Sequence, residues 1–469
     1  ASLSVIAQSS SKNDLPEIGA AGTSILSIDK ERIVGDAMMR QLRASQPLLH
    51  DPVLTEYINH LGNLLVQNAQ DVNYQFEFFI INNNELNAFA FFGGHVGVHS
   101  GLITTADNES ELASVLAHEV SHVTQRHLAR SLEAQQKSST ATIAGMLGAI
   151  LLTIAAPQAG MAALATTQAL STQSKINYTR LHEKEADRIG MQILVDAGFD
   201  PNAAATFFGQ LAARYRFSTT PPQMLLTHPL PESRITEARN RAAQYPKRIV
   251  PDSLNYQLAK ARIQVRFSNY SDDGALSLFE QQLKKNNYTF EDAALYGKAL
   301  ALFRLEKFAQ AEAIIDTLLK KDDNNLFYLD TKTDLLAQKK DYASAIALLE
   351  GQRKLKPTSQ VINTNLAHIY VEADQASKAI PLLEELIFFD KQNMLPYQIM
   401  ADAYRKLDNK ALEYYSNAEI MALTANYQGA IDQLNYAYRY SEGQTLQLAR
   451  IEARIRQFRQ ADRDLEQFK

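Results

Sequence analysis

The residues in this sequence with the clearest capacity for chemistry form the run His118-Glu119-Val120-Ser121-His122. On a helix, positions 118 and 122 are one turn apart, so both imidazoles project from the same face. Two neutral imidazoles at this spacing can bind one divalent ion. The adjacent Glu119 can then accept a proton from a water molecule activated by that ion. The run therefore predicts a hydrolytic metal site.

A hydrolytic zinc site of this kind uses three protein ligands and leaves one position open. The sequence contains no cysteine, and Leu128 occupies the position where one known spacing would place a third histidine. The best third ligand is Glu183, with Glu185 as the alternative. Asp187 lies one helical turn after Glu183 and could accept the ring N–H of a ligand histidine, which would fix the orientation of that ring.

His228 lies in a proline-flanked loop, and the sequence leaves three roles open for it. It could stabilise the tetrahedral oxyanion by donating a hydrogen bond, in which case its loss lowers activity. Its imidazole could instead occupy the open metal position and keep the enzyme latent, in which case its loss raises activity. It could also order its own loop through backbone hydrogen bonds. Arg234 is interpreted as a helix-start charge paired with an acidic neighbour, with a role near the active site as the less favoured alternative. Four further histidines are interpreted as structural or solvent-facing: His95, His99, His127 and His182.

The elements that must position these residues follow from the hydrophobic periodicity. Helical spacing predicts helices at 28–44, 52–68, 108–135, 178–197 and 232–243, and Asn108 is the expected N-cap of the third. Aromatic and β-branched runs predict short strands at 74–81, 87–92 and 96–102. We expect an extended substrate to pair with the sheet edge formed by residues 88–92.

The composition and two segments bear on location and partners. The chain has 47 basic and 52 acidic residues, a net charge of −5 that argues against a nucleic-acid partner. Residues 1–22 are predicted to be an export-signal remnant and linker. Residues 141–156 are apolar but shorter than the roughly 20 residues needed to cross a bilayer. They predict a helical hairpin with at most peripheral membrane contact, and the absence of cysteine fits an oxidising compartment.

The second half of the chain repeats with a period of 34 residues. Large or small apolar residues recur at 308, 342 and 376, at 311, 345 and 379, and at 315, 349 and 383. This pattern resembles the tetratricopeptide repeat, whose helical pairs stack into a solenoid with a concave protein-binding face. We expect a degenerate helical pair at 252–287, an irregular fourth unit after the register breaks, and a capping helix at 445–468. The predicted domains are therefore 23–250 and 251–469.

Three motifs in order resemble one family of zinc metallopeptidases. The runs H-E-V-S-H, H-E-K-E-A-D-R-I-G and T-H-P-L-P-E-S-R-I are similar to those of the HtpX and CAAX-prenyl-protease branch, and with the repeats most closely to its periplasmic BepA group. The resemblance implies that His118, His122 and Glu183 bind one zinc ion and that Glu119 is the catalytic acid/base. It leaves Asp187 as a proton donor or an orienting residue. We favour orientation, because a carboxylate beside a bound imidazole stays ionised.

The expected fold is α+β: a mainly helical, gluzincin-like HExxH domain with a small sheet, followed by an all-α solenoid. The resemblance implies a periplasmic zinc endopeptidase that acts on unfolded or stalled outer-membrane β-barrel proteins and contacts the barrel-assembly machinery through its repeats. The alternative is chiefly a chaperone or adaptor with latent protease activity. An aminopeptidase is less well supported, because no acidic set that would hold a free amine is recognisable.

Overall fold

The computed structural model describes residues 26–134, 172–216, 222–246 and 248–466. Within these ranges the chain has the expected α+β architecture, with a small sheet among helices in the first half and helical pairs in the second. The predicted leader at 1–22 and the apolar segment at 141–156 lie outside the described residues. Among the helices that are described, none combines the length and apolar character that a membrane span requires.

The first half combines three strands with a set of helices. The described helices are α1 (Ile28–Ser45), α2 (Pro52–Val66), α3 (Ser100–Thr105), α4 (Glu109–Thr124), α5 (His127–Ala134), α6 (Thr172–Asp196), α7 (Ala203–Tyr215), α8 (Gln223–Thr227) and α9 (Glu232–Ala242). The strands are β1 (Glu77–Ile81), β2 (Ala88–Phe91) and β3 (His95–His99). Their order is β1-β3-β2, with β1 parallel and β2 antiparallel to β3.

The sheet is buried on both faces, which explains its run of consecutive aromatic and β-branched residues. Phe78 and Ile80 enter the core shared with α2 and α4, whereas Phe79 and Ile81 enter a second core shared with α1. This alternation follows from the two-residue period of a strand. The packing holds α4, which carries the H-E-V-S-H run, against a rigid support.

Several predicted boundaries in this half are wrong. The strand expected at 74–81 begins at Glu77, and the helix expected at 178–197 begins at Thr172. The strand expected at 96–102 ends at His99, because residues 100–105 form α3. The single helix expected at 108–135 is interrupted between α4 and α5, because Arg126 has a φ of 52°, in the left-handed region that a right-handed helix cannot contain. The start of α4 is as predicted, since the Asn108 side chain accepts a hydrogen bond from the Glu111 N–H. Helix α7 is not among the predicted elements.

The second half is a succession of antiparallel helical pairs. Its helices are α10 (Leu254–Arg266), α11 (Asp272–Lys285), α12 (Glu291–Arg304), α13 (Phe308–Lys321), α14 (Leu326–Gln338), α15 (Tyr342–Leu355), α16 (Gln360–Glu372), α17 (Ala376–Phe389), α18 (Met394–Lys406), α19 (Lys410–Leu423), α20 (Tyr427–Arg439) and α21 (Thr445–Glu466). The pair α10–α11 and the last helix agree with the expectations for 252–287 and 445–468.

After the third repeat the residue types at the repeat positions change, as expected, but the spacing of the helices does not. The second helices of four successive pairs begin at 308, 342, 376 and 410, so the spacing of 34 residues continues into a fourth regular pair. At the repeat positions of that pair the chain carries Lys410, Glu413 and Asn417 in place of apolar residues. Its buried contacts are made by neighbouring residues such as Ala411 and Ala418 instead.

The two halves are joined by a buried ion network rather than by a flexible link alone. Arg262 donates hydrogen bonds to Asp51 at 2.7 Å, to Asp330 at 2.6 Å and to the Tyr296 hydroxyl at 2.9 Å. Asp51 also caps the first turn of α2. Helix α2 contacts α10, α14 and α16, so part of the repeat surface expected to bind partners is covered by the first half of the chain.

Replacing Arg262 by Ala should destabilise the junction between the halves. The substitution leaves Asp51 and Asp330 as buried carboxylates without a cation, and loss of one partner from such a pair costs about 3–5 kcal/mol. Urea unfolding followed by circular dichroism measures the effect. The matched control is Arg405→Ala, because its ion pairs are solvent-exposed and should contribute less than about 1 kcal/mol. Equal losses in the two variants would contradict this prediction.

Candidate metal centre

Helices α4 and α6 lie in direct contact and carry the residues of the candidate site. Gly190 on α6 makes this approach possible. A methyl group added at Gly190 would lie 3.1 Å from the backbone nitrogen and Cα of His118, closer than ordinary packing allows. The glycine of the H-E-K-E-A-D-R-I-G run therefore sets the distance between the two helices. At that distance, side chains one and two turns earlier on α6 reach the imidazoles of α4.

The structure brings together the three predicted ligands. The Nε2 atoms of His118 and His122 are 3.0 Å apart, and each lies 3.4 Å from an oxygen of the Glu183 carboxylate. His228 joins them, with Nδ1 at 3.1 Å from Glu183 Oε1. One ligand atom from each of these four residues lies within 4.8 Å of the others. Two neighbouring turns of α4, one turn of α6 and the loop after α8 thus converge on one point.

This donor set fits a divalent metal ion such as zinc. Bonds of about 2.0–2.1 Å in a tetrahedral site place the ligand atoms roughly 3.3–3.4 Å apart, close to the separations among His118, His122 and Glu183. Imidazole nitrogen and carboxylate oxygen are both zinc ligands. A metal would also resolve the close approach of two ring nitrogens, because their lone pairs would then face a cation.

Glu119 follows His118 on α4, and its carboxylate lies beside the same cluster. Its side chain is almost fully buried, and among the described residues Oε1 has no hydrogen-bond partner. The nearest charged neighbour is His228, whose Nε2 lies 3.5 Å from that oxygen. A buried carboxylate oxygen without a partner is costly for a fold and is characteristic of functional sites. Glu119 is therefore placed to act on a molecule bound beside the ligand cluster.

Asp187 lies behind His118, as the i to i+4 spacing from Glu183 predicts. Its Oδ1 is 3.1 Å from the Nδ1 of His118, so the opposite ring nitrogen faces the ligand cluster. Burial alone would raise the pKa of Asp187, but hydrogen bonds from His118 and Arg234 outweigh burial and hold that pKa at about 2. The carboxylate is therefore ionised at neutral pH, as an orienting partner must be.

Arg234 belongs to this site, and the sequence analysis underestimated it. Its Nε and NH2 donate to both oxygens of Asp187 at 2.7 Å, and NH1 lies 2.8 Å from Glu183 Oε2. Burial opposes ionisation of Glu183, yet its pKa is held well below the ordinary value by His228, His118 and His122. Arg234 thus supplies a permanent positive charge between the carboxylates of Glu183 and Asp187.

Glu185, the alternative ligand, faces away from the cluster. It lies 3.1 Å from His127 and 2.9 Å from Arg130. Of the two alternatives given for four further histidines, structural or solvent-facing, burial excludes the solvent-facing one for all four: His95, His99, His127 and His182. His95 contacts Glu77 and Asp36, and the ring of His99 packs edge-on against Phe89, so both are structural. His127 instead contacts a predicted ligand, since its Nδ1 lies 2.8 Å from His122 Nδ1.

The chain is similar to known proteins over most of its length. The pattern of peptidase family M48 matches residues 52–242, and that of the tetratricopeptide repeat matches residues 336–402. The chain is 47% identical to a protein of Vibrio cholerae serotype O1 over 95% of this chain and 92% of that protein. It is 44% identical to the beta-barrel assembly-enhancing protease of Escherichia coli K12, over 96% of this chain and 92% of that protease. The mitochondrial metalloendopeptidase OMA1 of Bos taurus is 29% identical to it, over 37% of this chain and 32% of that protein.

Replacing Arg234 by Ala should weaken both the fold around the site and its affinity for zinc. The change removes the cation shared by the buried Glu183 and the largely buried Asp187, and loss of one partner from a buried ion pair costs about 3–5 kcal/mol of stability. Competition with a chromophoric chelator reports the zinc affinity, which should fall about 10–100-fold because the partner of His118 is no longer held. Arg239→Ala changes an exposed arginine on the same helix and should leave the affinity as in the wild type. An equal loss of zinc affinity in the two variants would contradict the role assigned to Arg234.

Proposed function

The chain belongs to peptidase family M48 and, within it, to the beta-barrel assembly-enhancing proteases, and we propose that it is a zinc endopeptidase acting on outer-membrane β-barrel proteins. The observation that carries the proposal is the convergence of His118, His122, Glu183 and His228 within 4.8 Å beside the buried carboxylate of Glu119. We assign one zinc ion per chain to the first three residues. When bound, zinc polarises a scissile carbonyl and makes a water molecule more acidic.

Glu119 is the acid/base in this proposal. It accepts the proton of the attacking water and later delivers it to the leaving amine. Its burial supports this role, and so does its Oε1 atom, which accepts no hydrogen bond from the described residues and has the His228 imidazole as its charged neighbour. Asp187 stays ionised and orients the ring of His118, while Arg234 keeps Asp187 in place. We therefore assign proton transfer to Glu119 alone and orientation to Asp187.

We further propose that the substrate binds as an added strand on β2. That strand is an edge of the sheet order β1-β3-β2. Asn87 accepts a hydrogen bond from His99 across the ladder, so by alternation the backbone groups of Ala88 and Ala90 point away from β3. Recognition through the backbone reads extended conformation rather than sequence. It therefore suits a protease that meets unpaired strands of unfinished β-barrels.

His228 holds this site in a latent state in our proposal. The segment that carries it already uses the substrate edge, because the Met224 N–H donates to the Leu86 carbonyl at 3.3 Å. The imidazole of His228 lies between Glu183 and Glu119, where an attacking water would have to stand. An oxyanion donor would leave that space open. A loop-ordering histidine would bond to backbone, whereas both ring nitrogens of His228 face carboxylates.

The partners and the compartment follow from the same assignment. We propose that the chain works in the periplasm, where barrel proteins pass unfolded, and that its repeats contact the barrel-assembly machinery. We place the division between the peptidase and repeat domains at about residue 250, and the loop between α9 and α10 supports that position. A chiefly chaperone or adaptor function remains the second candidate, because a site closed by His228 would allow the repeats to act without proteolysis.

Replacing Glu119 by Gln should abolish proteolysis without loss of zinc. The amide cannot accept the water proton, and loss of a general acid/base lowers the rate about 100–10,000-fold. Cleavage of an unfolded barrel protein and zinc content by mass spectrometry are the two measurements. Glu133→Gln is the matched control on α5 and should cleave normally. If barrel maturation survives in Glu119→Gln cells while cleavage stops, the adaptor function stands by itself. Undiminished cleavage would refute the role of Glu119.

Replacing His228 by Ala should raise the rate of proteolysis. The three remaining ligands keep the metal, and the space beside Glu119 becomes available to water. The assay is cleavage of an unfolded protein by purified enzyme, together with the zinc content of each variant. A decrease in activity at full zinc occupancy would favour the oxyanion role instead.

Peptides with blocked and free N-termini, used in the same assay, separate an endopeptidase from an aminopeptidase.

A further inference from the structure

His122 has a partner on the side of its ring that faces away from the ligand cluster. The Nδ1 atoms of His122 and His127 are 2.8 Å apart, and the rings meet nearly edge to face. The other ring nitrogen of His127 lies 3.1 Å from Glu185 Oε2. Arg130 donates to the same carboxylate oxygen at 2.9 Å. A continuous chain of polar contacts therefore runs from Arg130 through Glu185 and His127 to a ligand histidine.

The donor and acceptor capacities of these groups determine which group donates in each of these hydrogen bonds. An ionised carboxylate accepts only, so Nε2 of His127 must carry the proton that is donated to Glu185. In a neutral imidazole the other nitrogen, Nδ1, is then an acceptor. The short contact between the two Nδ1 atoms therefore requires His122 Nδ1–H as the donor. With its proton on Nδ1, His122 presents a lone pair on Nε2, which is the atom that faces His118 and Glu183.

We propose that His127 is a positioning residue that fixes the tautomer and ring orientation of His122 for zinc, through the chain Glu185–His127–His122. The inference rests on the proposed metal centre. It adds a second route of ligand orientation beside the one through Asp187. His118 is held directly by a carboxylate, whereas His122 is held by a carboxylate acting through an intervening imidazole.

The backbone before His127 is built to deliver this ring. Arg126 has a left-handed backbone, with a φ of 52°, a conformation that is unfavourable for a non-glycine residue. The turn ends α4 and starts α5 at His127, which returns the imidazole toward the helix it has just left. The Arg126 side chain secures the turn by donating to Glu31 at 2.9 Å and to the Leu26 carbonyl at 2.7 Å, both buried. Strain of this kind persists where surrounding contacts determine it, and it concentrates at functional sites.

A purely structural role for the ring is the competing explanation. His127 stacks on His182 with ring centroids 4.2 Å apart and an interplanar angle of 9°. If stacking and volume were the purpose, any aromatic ring would serve. If the acceptor nitrogen is the purpose, a small side chain with a suitably placed oxygen would serve better than a ring. The two explanations therefore predict opposite rankings for two substitutions.

The test compares His127→Phe with His127→Asn in the full-length protein. Phe keeps a ring beside His182 but has no acceptor, whereas Asn loses the ring but offers Oδ1 near the position of Nδ1. Zinc affinity of the metal-free protein is measured by competition with a chromophoric chelator. We expect Phe to weaken zinc binding about 10–100-fold and Asn to retain affinity within severalfold of wild type. In the proteolysis assay, kcat should fall in the same order with little change in KM.

Two further variants separate the possible failures. His368→Phe alters an exposed histidine on α16 and should bind zinc as the wild type does. His118→Ala must lose zinc binding; if it does not, the metal centre itself is misassigned and the proposed function fails. If His118→Ala loses zinc but His127→Phe binds as tightly as or more tightly than His127→Asn, the positioning role is overturned and the metal centre stands. Circular dichroism on each variant shows that the comparison concerns folded protein.

Discussion

The contact between α4 and α6 at Gly190 is the constraint on which the candidate site depends. Two imidazoles one turn apart on a single helix can only present half of a metal site, because a helix has one face. The carboxylate that completes the set lies more than 60 residues later in the chain, at Glu183. It reaches the imidazoles because Gly190 has no side chain to hold α6 away from His118. Without that approach the H-E-V-S-H run would be an ordinary buried helix.

Bringing those residues together places several charged side chains away from solvent, and neighbouring side chains compensate their charges. Glu183 is buried and Asp187 is largely buried, and Arg234 pairs with both. The same arginine also packs over the Phe208 ring, which holds the guanidinium in position. Glu119 is the exception, because Oε1 has no partner. The carboxylates that only hold geometry are therefore satisfied, while the one assigned to chemistry is left available.

The repeat half of the chain is not an independent appendage. Arg262 reaches across to the N-cap of α2, and Arg40 and Arg43 of α1 donate to Tyr427 and Gln392 far along the solenoid. Helices α1 and α2 also pack on the two faces of the sheet that supports α4. Contacts made by the repeats are thus connected to the support of the site. A partner bound to the repeats would act on a surface shared with the peptidase half.

Much of this could be read from the sequence, since the decisive signals are local. Helical spacing identified His118 with His122, and Glu183 with Asp187, and the 34-residue period identified the repeats. The regular fourth helical pair was not predicted. Its helices keep the 34-residue spacing, but its buried contacts are made by neighbouring residues such as Ala411. The long helix at 108–135 was wrong because helix propensity along the run carries no mark of the left-handed turn at Arg126.

The sequence by itself determined the chemistry available: two imidazoles and two carboxylates at helical spacing, with Glu119 beside them and no cysteine to compete. Only the tertiary structure decided which side chains share that chemistry. It placed His127 and Arg234 against the ligands and their partners, and turned Glu185 away from them. Periodicity reports the face of one element, whereas contacts between elements depend on how closely their backbones pack, and that distance is not encoded in the spacing of either one.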